Sequence, residues 1–143
     1  MFNAIVSLVL VGVVLGLPSA SSGPPSKGAV SNGGGAEASQ GSCDAGKLVG
    51  LWAGERYSMK ILADMTYRAS GSPNMASIDV TGTLKVDKCD VEILDTSGRY
   101  ACPSTDVGKY TFTVTETTLA FTLVSDPCDG RRRPLTAGPL TKK

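Results

Sequence analysis

Four cysteines, thirteen acidic residues and no histidine define the chemistry open to this chain. Without imidazole there is no ordinary Ser/His/Asp or Cys/His nucleophile system and no histidine metal ligand. Cys43, Cys89, Cys102 and Cys128 contain no Cys-x-x-Cys pair, so their spacing argues for two disulfides and against a thiolate zinc site. Two acid pairs, Asp87 with Asp90 and Asp126 with Asp129, raise a glycosidase or a Ca²⁺ site. Each falls at an expected strand end or turn, where Asp commonly bonds its own backbone. Gly33-Gly34-Gly35 has neither a strand before it nor a helix after it, which excludes a phosphate-cradling loop. The expectation is a protein that is not an enzyme, with no catalytic residue, no metal and no cofactor.

The elements that must position these residues occupy only part of the chain. Residues 4–17 are almost wholly apolar and end at Pro18, a run shorter than the roughly 20 residues a bilayer span needs. With the small residues from Ser19 to Gly23 this reads as a secretory signal peptide, residues 1–20, although the amino-terminal region lacks Lys and Arg. Residues 21–42 are mostly Gly, Ser, Pro and Ala with only Lys27 and Glu37 charged, the composition of a disordered linker. Residues 43–143 form the folding domain and hold all four cysteines. Its charge is lopsided: nine Lys/Arg face thirteen Asp/Glu up to Gly130, and five basic residues with no acid follow. Arg131, Arg132 and Arg133 read as part of a solvated basic last strand, since no aromatic residue interleaves them and export makes nucleic acid an unsuitable partner.

Period-two alternation dominates the domain, so the fold class is all-β. Met59, Ile61, Ala63, Met65 and Tyr67 share one face, with Leu62 breaking the pattern. Ile78, Val80, Gly82, Leu84 and Val86 repeat it after a turn cluster at residues 70–74. Cys89, Val91 and Ile93 lead to a tight turn at residues 95–98 and on into Tyr100 and Cys102, which reads as a hairpin. A second hairpin pairs Val114 with Leu119, Phe112 with Phe121 and Tyr110 with Leu123 across Glu116-Thr117, all on a buried face. A first strand at residues 51–57 and a last at 132–137 complete about eight short antiparallel strands, with no helix of ordinary length. An up-and-down barrel fits this order, and a β-sandwich is the alternative. If Val91 pairs with Tyr100, Cys89 lies opposite Cys102 and Cys43 is left for Cys128. A slip of that register would instead bring Cys102 to Cys128.

Gly50-Leu51-Trp52 resembles the Gly-x-Trp that opens the first strand of lipocalins and related calycins. The run Asp126-Pro127-Cys128-Asp129-Gly130-Arg131 is similar to the end of small lipocalin-like exported domains. The resemblance implies a calycin-type barrel in which Arg131 packs across the Trp52 ring and closes the base. It implies that neither residue is a ligand contact.

Three functions fit these readings. The first is a secreted, extracellular binding protein carrying a small apolar ligand in a barrel pocket lined by Met59, Ile61, Met65, Tyr67, Phe112 and Phe121. The second is a structural or extracellular-matrix protein that makes its contacts through the arm and the basic tail. The third is a secreted inhibitor presenting the loop at residues 71–76. A stable membrane anchor is not expected.

Overall fold

The computed structural model describes residues 41–143. The expected signal peptide and all but the last two residues of the expected linker lie outside the described residues. Ser42, the linker's final residue, is already held: its backbone exchanges two 2.8 Å hydrogen bonds with Val114.

Eight strands follow one another: β1 Gly50–Ala53, β2 Ser58–Ile61, β3 Thr66–Ser70, β4 Val80–Asp87, β5 Asp90–Ser97, β6 Gly108–Val114, β7 Thr118–Ser125 and β8 Leu140–Lys142. Each pairs antiparallel with the next and β8 pairs back onto β1, giving a closed up-and-down barrel rather than a sandwich. A 3₁₀ turn, Ala45–Leu48, precedes β1, and one short helix, α1 Asp129–Thr136, joins β7 to β8. The alternating apolar residues fill the interior: Met59, Ile61, Tyr67, Val91, Ile93 and Phe112 are all buried. Among the described residues no helix is long and apolar enough to cross a membrane.

Antiparallel order gives the barrel two unlike ends. At one, which we call the turn end, the chain enters and the tight β2–β3, β4–β5 and β6–β7 turns lie. At the other, the helix end, lie the longer β3–β4 and β5–β6 connections and α1.

The β6–β7 register is the one the pattern predicts, with Val114 opposite Leu119, Phe112 opposite Phe121 and Tyr110 opposite Leu123. Leu123 is nevertheless 40% exposed. A bulge between Lys109 and Tyr110 disturbs the ladder there, and β8 covers β7 only at Thr118 and Leu119. The expected strand through Met59 and Tyr67 is two strands, and Leu62, which breaks the alternation, begins the turn between them. Met65 closes that turn with φ at 60°, and the Asp64 carboxylate caps it by accepting from the Thr66 amide at 3.0 Å. The first expected strand ends early, at Ala53.

Three expectations are corrected. Residues 132–137, read as a last strand, belong mostly to α1. Pro134 would remove a ladder donor from a strand, whereas Asp129 pairs with Arg132 and Arg133 at helical spacing and Arg131 and Leu135 share the buried face. The residues 89–102 form no hairpin: β5 runs through the supposed turn to Ser97, and Val91 pairs with Tyr110 instead of Tyr100. That places Cys89 at the turn end and Cys102 at the helix end, so the pairings Cys89–Cys102 and Cys43–Cys128 give way to Cys43–Cys89 and Cys102–Cys128.

Candidate functional site

The helix end holds the most polar interior of the domain. Alternation along β5 points Val91, Ile93 and then Asp95 inward, and Asp95 is 3% exposed. From β3 the Tyr67 hydroxyl donates to Asp95 Oδ1, and the Cys102 amide donates to Oδ2 at 2.7 Å. Arg131, on the inner face of α1, donates from Nη1 to Asp95 Oδ1 at 3.0 Å. Its Nε and Nη2 form a fork onto Asp126 at 2.8 and 2.9 Å, and Nη2 also donates to the Asp106 carbonyl at 2.6 Å. Tyr110 donates its hydroxyl to Asp126 from below. The result is a buried carboxylate, guanidinium, carboxylate chain with a tyrosine at each end.

Two glycines make room for it. A Cβ at Gly108 would lie 2.5 Å from Asp126 Oδ2 and 2.9 Å from Arg131 Nε. A Cβ at Gly82 would lie 2.5 Å from the Tyr67 ring, which therefore packs directly against the β4 backbone.

Burial acts against the Arg131 charge, but hydrogen bonds to Asp126 and Asp95 and their negative charges outweigh it and hold the guanidinium more firmly protonated than usual. Burial likewise pushes the Asp126 carboxyl up, and the hydrogen bonds from Arg131, Tyr110 and the Cys128 amide bring it below its ordinary value. The phenols of Tyr67 and Tyr110 are raised, first by burial and then by donating to the carboxylates. Tyr57 is raised by burial and by the charge of Asp95.

A cavity of about 320 Å³ opens to solvent above this chain. Asp95, Tyr67 and Arg131 form its floor, and Tyr57, Val80 and Tyr100 are among its walls. The Tyr57 hydroxyl makes no hydrogen bond to any described residue. A neighbouring hollow of about 370 Å³ shares Tyr57 and Pro134 but reaches none of the buried polar groups.

The pocket expected from sequence is largely filled. Of Met59, Ile61, Met65, Tyr67, Phe112 and Phe121, only Tyr67 lines either cavity. Met59, Ile61, Phe112 and Phe121 pack into one continuous core, and Met65 sits in the turn at the opposite end. Trp52 and Arg131 do not stack. Trp52 is fully buried with its indole N–H donating to the Leu48 carbonyl at 2.6 Å, and the cation over its ring is Lys142, 5.1 Å from the centroid. Trp52 reaches toward the turn end, whereas two carboxylates draw Arg131 into the helix end, so the two residues close opposite mouths.

The acid pairs separate as well. Asp87 and Asp90 face each other across the β4–β5 turn, both exposed. Asp129 pairs with arginines on the α1 surface, while Asp126 caps its own turn through the Cys128 amide and grips Arg131. Among the described residues no group of three or more acidic or cysteine side chains is placed to hold a metal. The loop at residues 71–76 lies beside the cavity and is tied down through Asp79, which accepts from the Gly71 amide at 2.8 Å.

No family model, curated protein or solved structure matches the chain. Sequence reasoning overlooked Asp95 by placing it in a turn. Its signal was the unbroken inward phase of Val91, Ile93 and Asp95.

Proposed function

We propose that this is a secreted binding domain that takes up a small molecule through the helix end of the barrel. The observation that carries the reading is the cavity over Asp95, Tyr67 and Arg131: concave, aromatic-walled and floored by a few convergent polar groups. Binding rather than conversion is supported by the state of those groups. The two buried carboxylates are engaged in ion pairs with Arg131, and the Tyr67 and Tyr110 phenols, raised by burial, are held as donors to them. Two disulfides in so small a domain support folding in an oxidising compartment. The likeness of Gly50-Leu51-Trp52 to calycins agrees with a carrier.

Titration of the oxidised domain with an environment-sensitive apolar fluorophore tests the proposal. Val80→Trp, on the cavity wall, should weaken uptake at least several-fold. Ala63→Trp should not, because Ala63 is exposed in the β2–β3 turn. No uptake by the parent domain, or equal losses in both variants, would overturn the reading.

A further inference from the structure

The cavity floor carries charge of both signs at close quarters, and this bears on what can enter. The inference that follows rests on the binding reading above. An anion settling on the floor would meet Asp95, with Asp126 behind Arg131 and Asp79 at the rim. A cation would meet Arg131, whose Nη1 lies 3.0 Å from Asp95, and Arg56 at the mouth. Both carboxylate oxygens of Asp95 are already hydrogen-bonded, Oδ1 by two donors. The lining sets Arg56 and Arg131 against Asp79 and Asp95, with Asp126 adding one net negative charge behind Arg131, and its carboxylates are already paired, so desolvating a further charge here would cost far more than these groups return.

The remaining capacity is of another kind. Arg131 uses four of its N–H groups on Asp95, Asp126 and Asp106, leaving one Nη1 hydrogen without a partner among the described residues. The Tyr57 hydroxyl likewise has no partner among the described residues. Two donors and aromatic walls from Tyr57 and Tyr100 fit a ring with an oxygen at its edge.

We infer that the ligand is an uncharged ring compound bearing a hydroxyl or carbonyl oxygen, which accepts from Tyr57 and Arg131 while its ring fills the space between the tyrosines. Naphthalene, naphthol, naphthoate and naphthylmethylammonium, matched in shape and differing in charge and oxygen, test this with the full oxidised domain by calorimetry or fluorescence. Naphthol should bind roughly five- to tenfold tighter than naphthalene, the worth of about one net hydrogen bond, and tighter still than either ion. Tyr57→Phe, which keeps the ring but removes one of the two donors, should bring naphthol down toward the naphthalene level and leave naphthalene unchanged, with the melting temperature confirming a folded variant. Equal binding of naphthol and naphthalene, or a preference for either ion, would overturn the inference and keep the binding reading. Failure of all four to bind would overturn both.

Discussion

At the turn end the barrel is closed by apolar packing: Leu48 and Trp52 are fully buried there, and the Cys43–Cys89 bond ties the entering chain to the β4–β5 turn. Charge contributes little at that end, since the Lys47–Glu116 pair is exposed and Lys142 covers the Trp52 ring from outside. The helix end is closed by ionic hydrogen bonds around Arg131 beneath α1, with Cys102–Cys128 beside them. An apolar plug can fill space completely. A chain of guanidinium, carboxylates and phenols is held by directional bonds, and its geometry leaves the tyrosines standing apart around an open space. The end stabilised by charge is therefore the end that keeps an open cavity, and that division is open to test.

The largest expected effect is at Arg131. Arg131→Met leaves Asp95 and Asp126 buried without their cation, a loss of roughly 3–5 kcal/mol, or on the order of 15–30 °C in melting temperature for a domain of this size. The pH dependence should also change sign. In the parent, the Asp126 pKa is lowered by folding, so its contribution is complete above the ordinary carboxylate value of 3.8 and is lost as pH falls through the lower folded value. In the variant burial prevails, the folded pKa rises, and stability should grow as pH falls from neutral toward 4. Thermal melts across that range check both. A variant that melts like the parent, with the same pH slope, would show that charge does not seal the helix end.

The two disulfides sharpen the contrast at nearly equal energy. Chain entropy assigns about 4 kcal/mol to Cys43–Cys89, spanning 46 residues, and about 3.5 kcal/mol to Cys102–Cys128, spanning 26. Paired Cys→Ala substitutions should thus lower the melting temperature comparably. Ligand uptake should separate them, because the Cys102 amide holds Asp95 in the cavity floor whereas Cys43 and Cys89 lie at the far end. Fluorophore titration below both melting points should show weakened uptake only without Cys102–Cys128. Equal uptake in the two variants would detach the cavity from its seal.

What the sequence disclosed follows the same divide. Period-two alternation made the barrel, the β6–β7 register and the apolar interior legible, because a residue such as Phe112 is placed by its own strand phase. The helix end was less so. Arg131 is buried through partners on three separate segments, Asp95, Asp106 and Asp126, and no local pattern reports a pairing 36 residues away. Three consecutive arginines after Gly130 fit a solvated strand as far as local pattern goes. The helical spacing of Asp129 with Arg132 and Arg133 was the available signal, and it was hidden by Pro134. The disulfide pairing turns on one feature: continuing β5 to Ser97 moves Cys102 from beside Cys89 to the other mouth.

The smallest effect belongs to Lys142, and it tests whether the turn end is as apolar as it looks. Lys142→Met removes the cation 5.1 Å above Trp52 but keeps an apolar stem over the ring, and the β8 backbone pairing to β1 is untouched. An exposed cation–π contact is worth roughly 0.5–1 kcal/mol, so the melting temperature should fall by only a few degrees. Trp52 emission should stay blue-shifted, since its ring is fully buried and its N–H remains on the Leu48 carbonyl. Arg131→Met, for all its cost in stability, should also leave the folded-state emission maximum in place, because Arg131 and Trp52 close opposite mouths. A red shift in Arg131→Met with none in Lys142→Met would mean that the guanidinium covers the indole after all, and the separation of the two ends would fail.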